Sequence, residues 1–279
     1  QLGPEATGIE FRNQLNQDNI KNYLLTGAGL AIGDVDANGL PDLFLVSQDG
    51  PNRLYLQVSP WRFIDQTEAA GIRDTESWGS GAAFADLDNN GLPDLFYVTG
   101  SVYPEVEKEL PHYPYHTPRV IFRNLGEGKF EELIGEAGPG IDAAHTSRGA
   151  AFGDYDNDGD IDVLIVNLNQ PPSLLRNDLD TDDHWLKVKL IGVASNRSAI
   201  GASVKIRYAD RQQVQAVLAQ DSFYSVSDRR LHFGLGEVDK ADLEVRWPTG
   251  STETFKRVAV NQLVTIREGQ GIVSSEKMP

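Results

Sequence analysis

The sequence predicts an all-β fold: three repeats of short strands, each turning through an acidic loop, followed by a small antiparallel β-sandwich-like domain. Three observations carry this. One acidic pattern recurs at 33–46 (GDVDANGLPDLFLV), 85–98 (ADLDNNGLPDLFYV) and 153–166 (GDYDNDGDIDVLIV). Each copy sits between a Gly/Ala-rich apolar run and a second apolar run, too short for helices and suited to buried strands. From His184 onward, strand-like segments alternate with turn signals.

Taken in chain order, the elements justify themselves. EATGI at 5–9 is the tail of a repeat unit, because the same kind of segment closes FIDQTEAAGI at 63–72 and FEELIGEAGPGI at 130–141. The runs GAGLAIG, GSGAAFA and RGAAFGD lead into the three loops. Second strands follow at Arg53–Leu56, Arg119–Phe122 and Ser173–Arg176, so a unit is about four strands in roughly sixty residues, a period that marks an internal repeat. The third unit breaks off at Arg176-Asn177 without an outer strand. Expected C-terminal strands are Trp185–Leu190, Ala202–Tyr208, Gln213–Leu218, Leu243–Trp247, Glu253–Phe255 and Leu263–Ile266, with hairpin turns at Ala209-Asp210-Arg211 and Pro248-Thr249-Gly250. The polar stretch Asn177–Asp183 reads as the linker, placing the domain boundary between residues 1–178 and 179–279.

The loops also carry the chemistry. Five aspartates on alternate positions from Asp154 to Asp162 crowd negative charge against a buried strand. Two carboxylates about 4 Å apart repel by roughly 4 kcal/mol at an effective dielectric near 20, so a cation belongs among them. Hard oxygen donors in this order suit calcium, with the glycine supplying the sharp turn. The predicted ligands of the first loop are Asp34, Asp36, Asn38, the Leu40 carbonyl and Asp42. Those of the second are Asp86, Asp88, Asn90, the Leu92 carbonyl and Asp94; those of the third are Asp154, Asp156, Asp158, the Asp160 carbonyl and Asp162. The order matches the first half of an EF-hand loop, but Ile165 stands where the closing glutamate belongs, and a strand follows instead of a helix.

The units resemble the FG-GAP/VCBS repeats of β-propellers, with Asn124-Leu125-Gly126-Glu127-Gly128-Lys129-Phe130 similar to that family's N-x-G-x-G-x-F hairpin. From about His184 the chain resembles the ASPIC/UnbV domain that follows such repeats in cartilage-acidic-protein-like and bacterial secreted proteins. The marks are Ile200-Gly201-Ala202, Leu231-His232-Phe233-Gly234-Leu235-Gly236 and Val245-Arg246-Trp247-Pro248-Thr249-Gly250. The resemblance implies an extracellular, calcium-loaded, all-β protein with no established catalytic activity, and the three repeats counted here make a partial propeller with three calcium sites.

Composition fits. The 279 residues include no cysteine, which excludes a disulfide framework and thiolate chemistry. The formal charge of −16 becomes about −10 with three calcium ions bound, still acidic, which argues against nucleic acid and anionic membranes as partners. No apolar stretch approaches a membrane span, and the chain, opening at Gln1 without a signal segment, reads as a processed form. Enzyme motifs are wanting: GAGLAIG leads into an ion loop where a dinucleotide site needs a helix, and Tyr113-Pro114-Tyr115 keeps His112 and His116 off one helical face. His145 and His232 have no nucleophile at a recognisable spacing, and His232 reads as a packed strand residue.

The expected function is therefore that of a non-enzymatic, calcium-stabilised extracellular protein with structural or adhesive work, binding a protein partner or itself. The alternative is a carbohydrate-binding module, for which Tyr103, Tyr113 and Tyr115 in the long connection 101–118 supply aromatic surface. Asn196-Arg197-Ser198 is a glycosylation sequon. Three repeats are few for a propeller, so two outcomes are expected. Either the opening half-repeat completes the third repeat of a neighbour, giving a ring or filament, or the C-terminal domain packs onto the open side and caps a monomer.

Overall fold

Strands β1 (Leu30–Gly33) and β2 (Asp42–Leu45) show how the repeat folds: the acidic loop between them reverses the chain, and they pair antiparallel from Leu30↔Leu45 to Gly33↔Asp42. The pairing thus brings the first and last residues of the loop side by side. The computed structural model describes residues 2–13, 29–47, 50–72, 79–101, 103–109, 114–220 and 225–278. His112 and Tyr113 lie outside the described residues.

The chain is all-β, with five sheets in a propeller-like arrangement and only one-turn helices among the described residues. With β3 (Arg53–Ser59) and β4 (Arg62–Asp65), the first sheet runs β1-β2-β3-β4 in chain order. The second repeats it with β5 (Gly79–Ala85), β6 (Asp94–Thr99), β7 (Val120–Gly126) and β8 (Lys129–Glu132). The third has three strands, β9 (Ser147–Gly153), β10 (Asp162–Asn167) and β11 (Ser173–Leu175), so β11 is an open edge. The innermost strands β1, β5 and β9 lie in succession against one another.

Each sheet alternates its side chains between two faces, and both faces of the middle sheet are buried. Ala82, Leu95, Tyr97 and Phe122 meet Phe44, Val46, Leu54 and Leu56 of the first sheet in one cluster. On the other side, Ala83, Phe96 and Val98 meet Phe152, Val163 and Ile165 of the third in another. The tail segments seal these seams. The EAAGI turn lies against β8, where Phe130 N–H donates to the Ala70 carbonyl at 2.8 Å. The opening EATGI segment, helix α1 (Pro4–Thr7) ending on Gly8 at φ 80°, takes the equivalent place on β4 of its own chain, with Glu10 N–H donating to the Tyr55 hydroxyl. Helices α2 (Val106–Glu109) and α3 (Pro139–Asp142) belong to connections in and after the second repeat.

The C-terminal region forms two four-stranded sheets. One runs β15-β12-β18-β19, the other β14-β13-β16-β17. Here β12 is His184–Ile191, β13 Ser203–Tyr208, β14 Arg211–Ala216, β15 Leu231–Gly236, β16 Lys240–Arg246, β17 Thr252–Ala259, β18 Gln262–Arg267 and β19 Gly271–Lys277. Both sheets contribute to a single core around Trp247, Phe233, Leu186 and Ile206. Eight strands correct the expected six: β15 and β19 were not counted as strands. The expectation of purely antiparallel pairing is also corrected, since β12 and β18 pair parallel. The turn Ala209–Asp210 joins β13 to β14 as anticipated, with Ala209 at φ 47°.

Among the described residues, this region shares with β1 a cavity lined by Leu30, Ile32, Val214 and Leu218. It sits over the acidic loops: Tyr208, Gln212, Gly234 and Trp185 crowd against Gly39, Gly91, Asp86 and Gly159. Residues 227–228 also run beside β9, where Asp228 N–H donates to the Phe152 carbonyl at 2.8 Å.

Candidate metal centres

Each acidic loop is wired by the same hydrogen bonds. The first aspartate of each turns one oxygen inward to accept from the glycine N–H five residues on: Asp34 from Gly39 at 2.8 Å, Asp86 from Gly91 at 2.9 Å and Asp154 from Gly159 at 2.9 Å. The last aspartate ties loop to strand. Its Oδ2 accepts from the residue after the first ligand (Val35, Leu87, Tyr155), and its Oδ1 accepts from the next strand at Gln57 or Asn124, or from Asn177 just past β11. Between them, Asn38 and Asn90 donate to Asp36 and Asp88, and accept from Leu40 and Leu92 N–H. In the third loop Asp158 accepts from Asp160 N–H.

These bonds leave one atom over. The Oδ1 of Asp34, Asp86 and Asp154 is buried in every case and has no hydrogen-bond partner. An orphaned buried carboxylate oxygen costs several kcal/mol unless a cation meets it. In each loop three carboxylates offer oxygens within 4.8 Å of one another, in the sets Asp34/Asp36/Asp42, Asp86/Asp88/Asp94 and Asp154/Asp156/Asp162. The donors are all hard oxygens, a set that fits calcium. The three first, second and last predicted ligands of each loop are thus gathered. Asn38, Asn90 and Asp158 stand at the turn with their side chains bonded to the loop backbone. The Asp160 side chain points away from its own loop and accepts from Asn89 Nδ2 at 2.8 Å, which leaves only its carbonyl for the role given to it.

The electrostatics agree. Burial pushes Asp42 and Asp94 up to about 7 and Asp34 up to about 6, and it holds Asp86 well above the carboxylate range with Asp94 as the next contributor. Among the described residues, the carboxylates of the first two loops form no ion pair. The third loop differs: Lys187 of β12, almost wholly buried, pairs with Asp154 Oδ2. Arg230 adds a bond to the Asp154 carbonyl at 2.9 Å and another to Asn157 Oδ1 at 2.7 Å.

Two glycines show how tightly the C-terminal region closes on the loops. Gly91 and Gly159 have φ of 85° and 106°, and a Cβ there would strike the Tyr208 hydroxyl and the Trp185 indole. They therefore serve the turn and the contact together. Asn89, at φ 62°, joins three parts of the molecule. Its amide donates to Asp160 and to the Gly159 carbonyl, and its oxygen lies 2.7 Å from His232 Nε2. His232 is the packed strand residue anticipated, stacked on Trp185, and burial drops its pKa to about 3, so the ring is neutral.

Sequence reasoning gave Lys187, Arg230, Asn89, Asn124 and Asn177 no part in the loops. Only the last two left a signal, the Arg-Asn pair that recurs at 123–124 and 176–177; Asn177, placed in the linker, in fact belongs to the third repeat's wiring. Of the tyrosine segment, Tyr103 is exposed, whereas Tyr115 is buried against His116. His116 and His145 bond to Thr146 and Gln170. The Asn196 amide is exposed but engaged with the Ile200 backbone.

Comparison with known proteins follows the same division. Residues 34–97 and 115–165 match the model of an FG-GAP-like repeat, and residues 192–273 match ASPIC and UnbV. The chain is similar to cartilage acidic protein 1 of Mus musculus and of Homo sapiens, 22% identical to each over 96% of its length. It is 23% identical to that of Xenopus tropicalis over 88%. The chain spans about half the length of these relatives, 49%, 48% and 45% respectively.

Proposed function

We propose that this chain, an FG-GAP-like repeat protein with an ASPIC and UnbV region, is a calcium-stabilised extracellular scaffold that works by protein–protein contact and carries no catalytic centre. The observation that supports this most is the buried, partnerless Oδ1 that recurs at the head of all three loops. Asp34, Asp36, Asn38, Leu40 and Asp42, with their counterparts in the second and third loops, would hold the ion. When bound, calcium supplies the positive charge that lets clustered carboxylates stay ionised inside the fold. Such loops are weak binders by design of their charge and rigidity, with affinities on the order of 0.1–1 mM in extracellular modules, so they fill where calcium is abundant. Among the described residues no helix is long and apolar enough to cross a membrane.

In this reading the three repeat sheets form an open arc, and the last two sheets form a sandwich clamped over its ion loops. The arc leaves two apolar flanks for partners. Calorimetry on the intact chain tests the metal reading: three calcium ions per chain and a melting temperature that falls on chelation are expected. An unchanged melting curve in metal-free buffer defeats it.

A further inference from the structure

The two free flanks of the repeat arc have the same residue pattern as the two buried faces of its middle sheet. On the third sheet, Leu164 pairs with Ala151 and Leu174, as Phe96 pairs with Ala83 and Ile121 on the second. Phe96 and Val98 are fully buried because the third sheet covers them. Their counterparts Leu164 and Val166 are 47% and 58% exposed, and Leu174 is 52% exposed. On the first sheet, Leu43 pairs with Ile32 and Tyr55, as Leu95 pairs with Phe84 and Phe122 on the second. Leu95 and Tyr97 are buried by the first sheet, while Leu30 and Ile32, standing where Ala82 and Phe84 stand, are 51% and 60% exposed.

One molecule therefore carries, at opposite ends of its arc, both halves of an interface it already makes twice inside itself. We propose that the third-sheet flank of one copy docks on the first-sheet flank of a second copy, head to tail, in the manner of the two internal seams. This rests on the scaffold reading above and names its partner. The occupant is a second copy because the chain holds the complementary face, complete with the α1 and Gly8 segment that seals β4 as the 68–72 segment seals β8. The C-terminal sheets bury most of their apolar residues in a core of their own, and β14, which shares a cavity with Leu30 and Ile32, still leaves those two side chains more than half exposed. Large exposed apolar faces of this kind mark association sites. A heterologous contact either closes into a ring or runs on as an open row.

The test uses the intact chain in about 2 mM calcium, a level at which extracellular-type sites fill, with mass read by sedimentation over a wide concentration range. Self-association that rises with concentration is expected. Leu164→Lys and Ile32→Lys replace exposed residues, so each is expected to keep the parent's circular dichroism and calcium stoichiometry while weakening association roughly tenfold or more. Mixing the two variants is the decisive arm. Each keeps the face the other has lost, so the mixture is expected to restore 1:1 pairs and nothing longer. If the intact protein binds three calcium ions yet stays monomeric, the interface is wrong and the metal reading stands. If either variant alone still pairs as well as the parent, the contact is not head to tail.

Discussion

Removing calcium and lowering the pH from 8 to 6 is predicted to make the stripped protein more stable. Asp42 and Asp94 are held up at about 7 in the folded chain, against 3.8 ordinarily, because both are buried. A raised carboxylate favours folding below its ordinary value, and that favour is lost as pH climbs through the folded value. Between pH 8 and 6 each of the two regains on the order of 1.4 kcal/mol. His232 works in the other direction. Its folded value is about 3 against 6.5 ordinarily, so its contribution is present above 6.5 and fades below, a loss of about 0.8 kcal/mol at pH 6. These three groups together give a gain of about 2 kcal/mol, or roughly 4–8 °C in melting temperature for a chain of this size, and Asp34 and Asp86, also raised by burial, act in the same direction. Calcium removes the reason for the effect by favouring the ionised carboxylates. At about 2 mM calcium, a site of about 0.1 mM affinity adds about 1.8 kcal/mol, so the loaded protein gains most at pH 8. Differential scanning calorimetry of metal-stripped and loaded protein at both pH values reads this directly. A stripped protein that melts no higher at pH 6 than at pH 8 would refute the assignment of these aspartates as buried, mutually strained ligands.

Other substitutions separate the roles within the loops. Asp156→Ala is expected to lower the calcium count from three to two by titration calorimetry. Asp160→Ala is expected to keep three ions while costing about 1–2 kcal/mol in urea unfolding, because Asn89 loses its acceptor. Lys187→Met removes the buried cation beside Asp154, so the stripped protein should lose about 3–5 kcal/mol while the third site binds calcium more tightly. Trp247→Ala, at the centre of the C-terminal core, should cost about 3–5 kcal/mol and leave the calcium count unchanged.

The repeats were legible because the acidic loop keeps the same residue types at fixed offsets, and three copies made the pattern countable. The strands beside the loops were legible for a simpler reason, since apolar runs such as Val163–Val166 leave little choice. The lid over the loops was not. Lys187 reads in sequence as an ordinary polar position of an alternating strand, and only the pairing of β12 across 33 residues of separation to Asp154 turns it inward. β19 was missed because Gly271–Lys277 is an exposed edge with scant apolar content, and the parallel β12–β18 pair could not be read from elements far apart in the chain. Asn89 was hidden by its own motif, where an asparagine at a tight turn already has a sufficient local explanation.

The lid also sets a clock. Asp86 and Asp154 are almost wholly sealed beneath β12 and β15, with Asn89 latching their two loops together, whereas the first loop has the amide of Gln212 as its close neighbour and keeps Asp34 partly open to solvent. Three sites of like composition would then exchange their ions at unlike speeds. A brief pulse of chelator would empty the first loop alone. The other two would surrender their ions only as fast as the C-terminal sheets lift away, so the protein would retain a memory of its last calcium-rich surroundings after the bulk had changed.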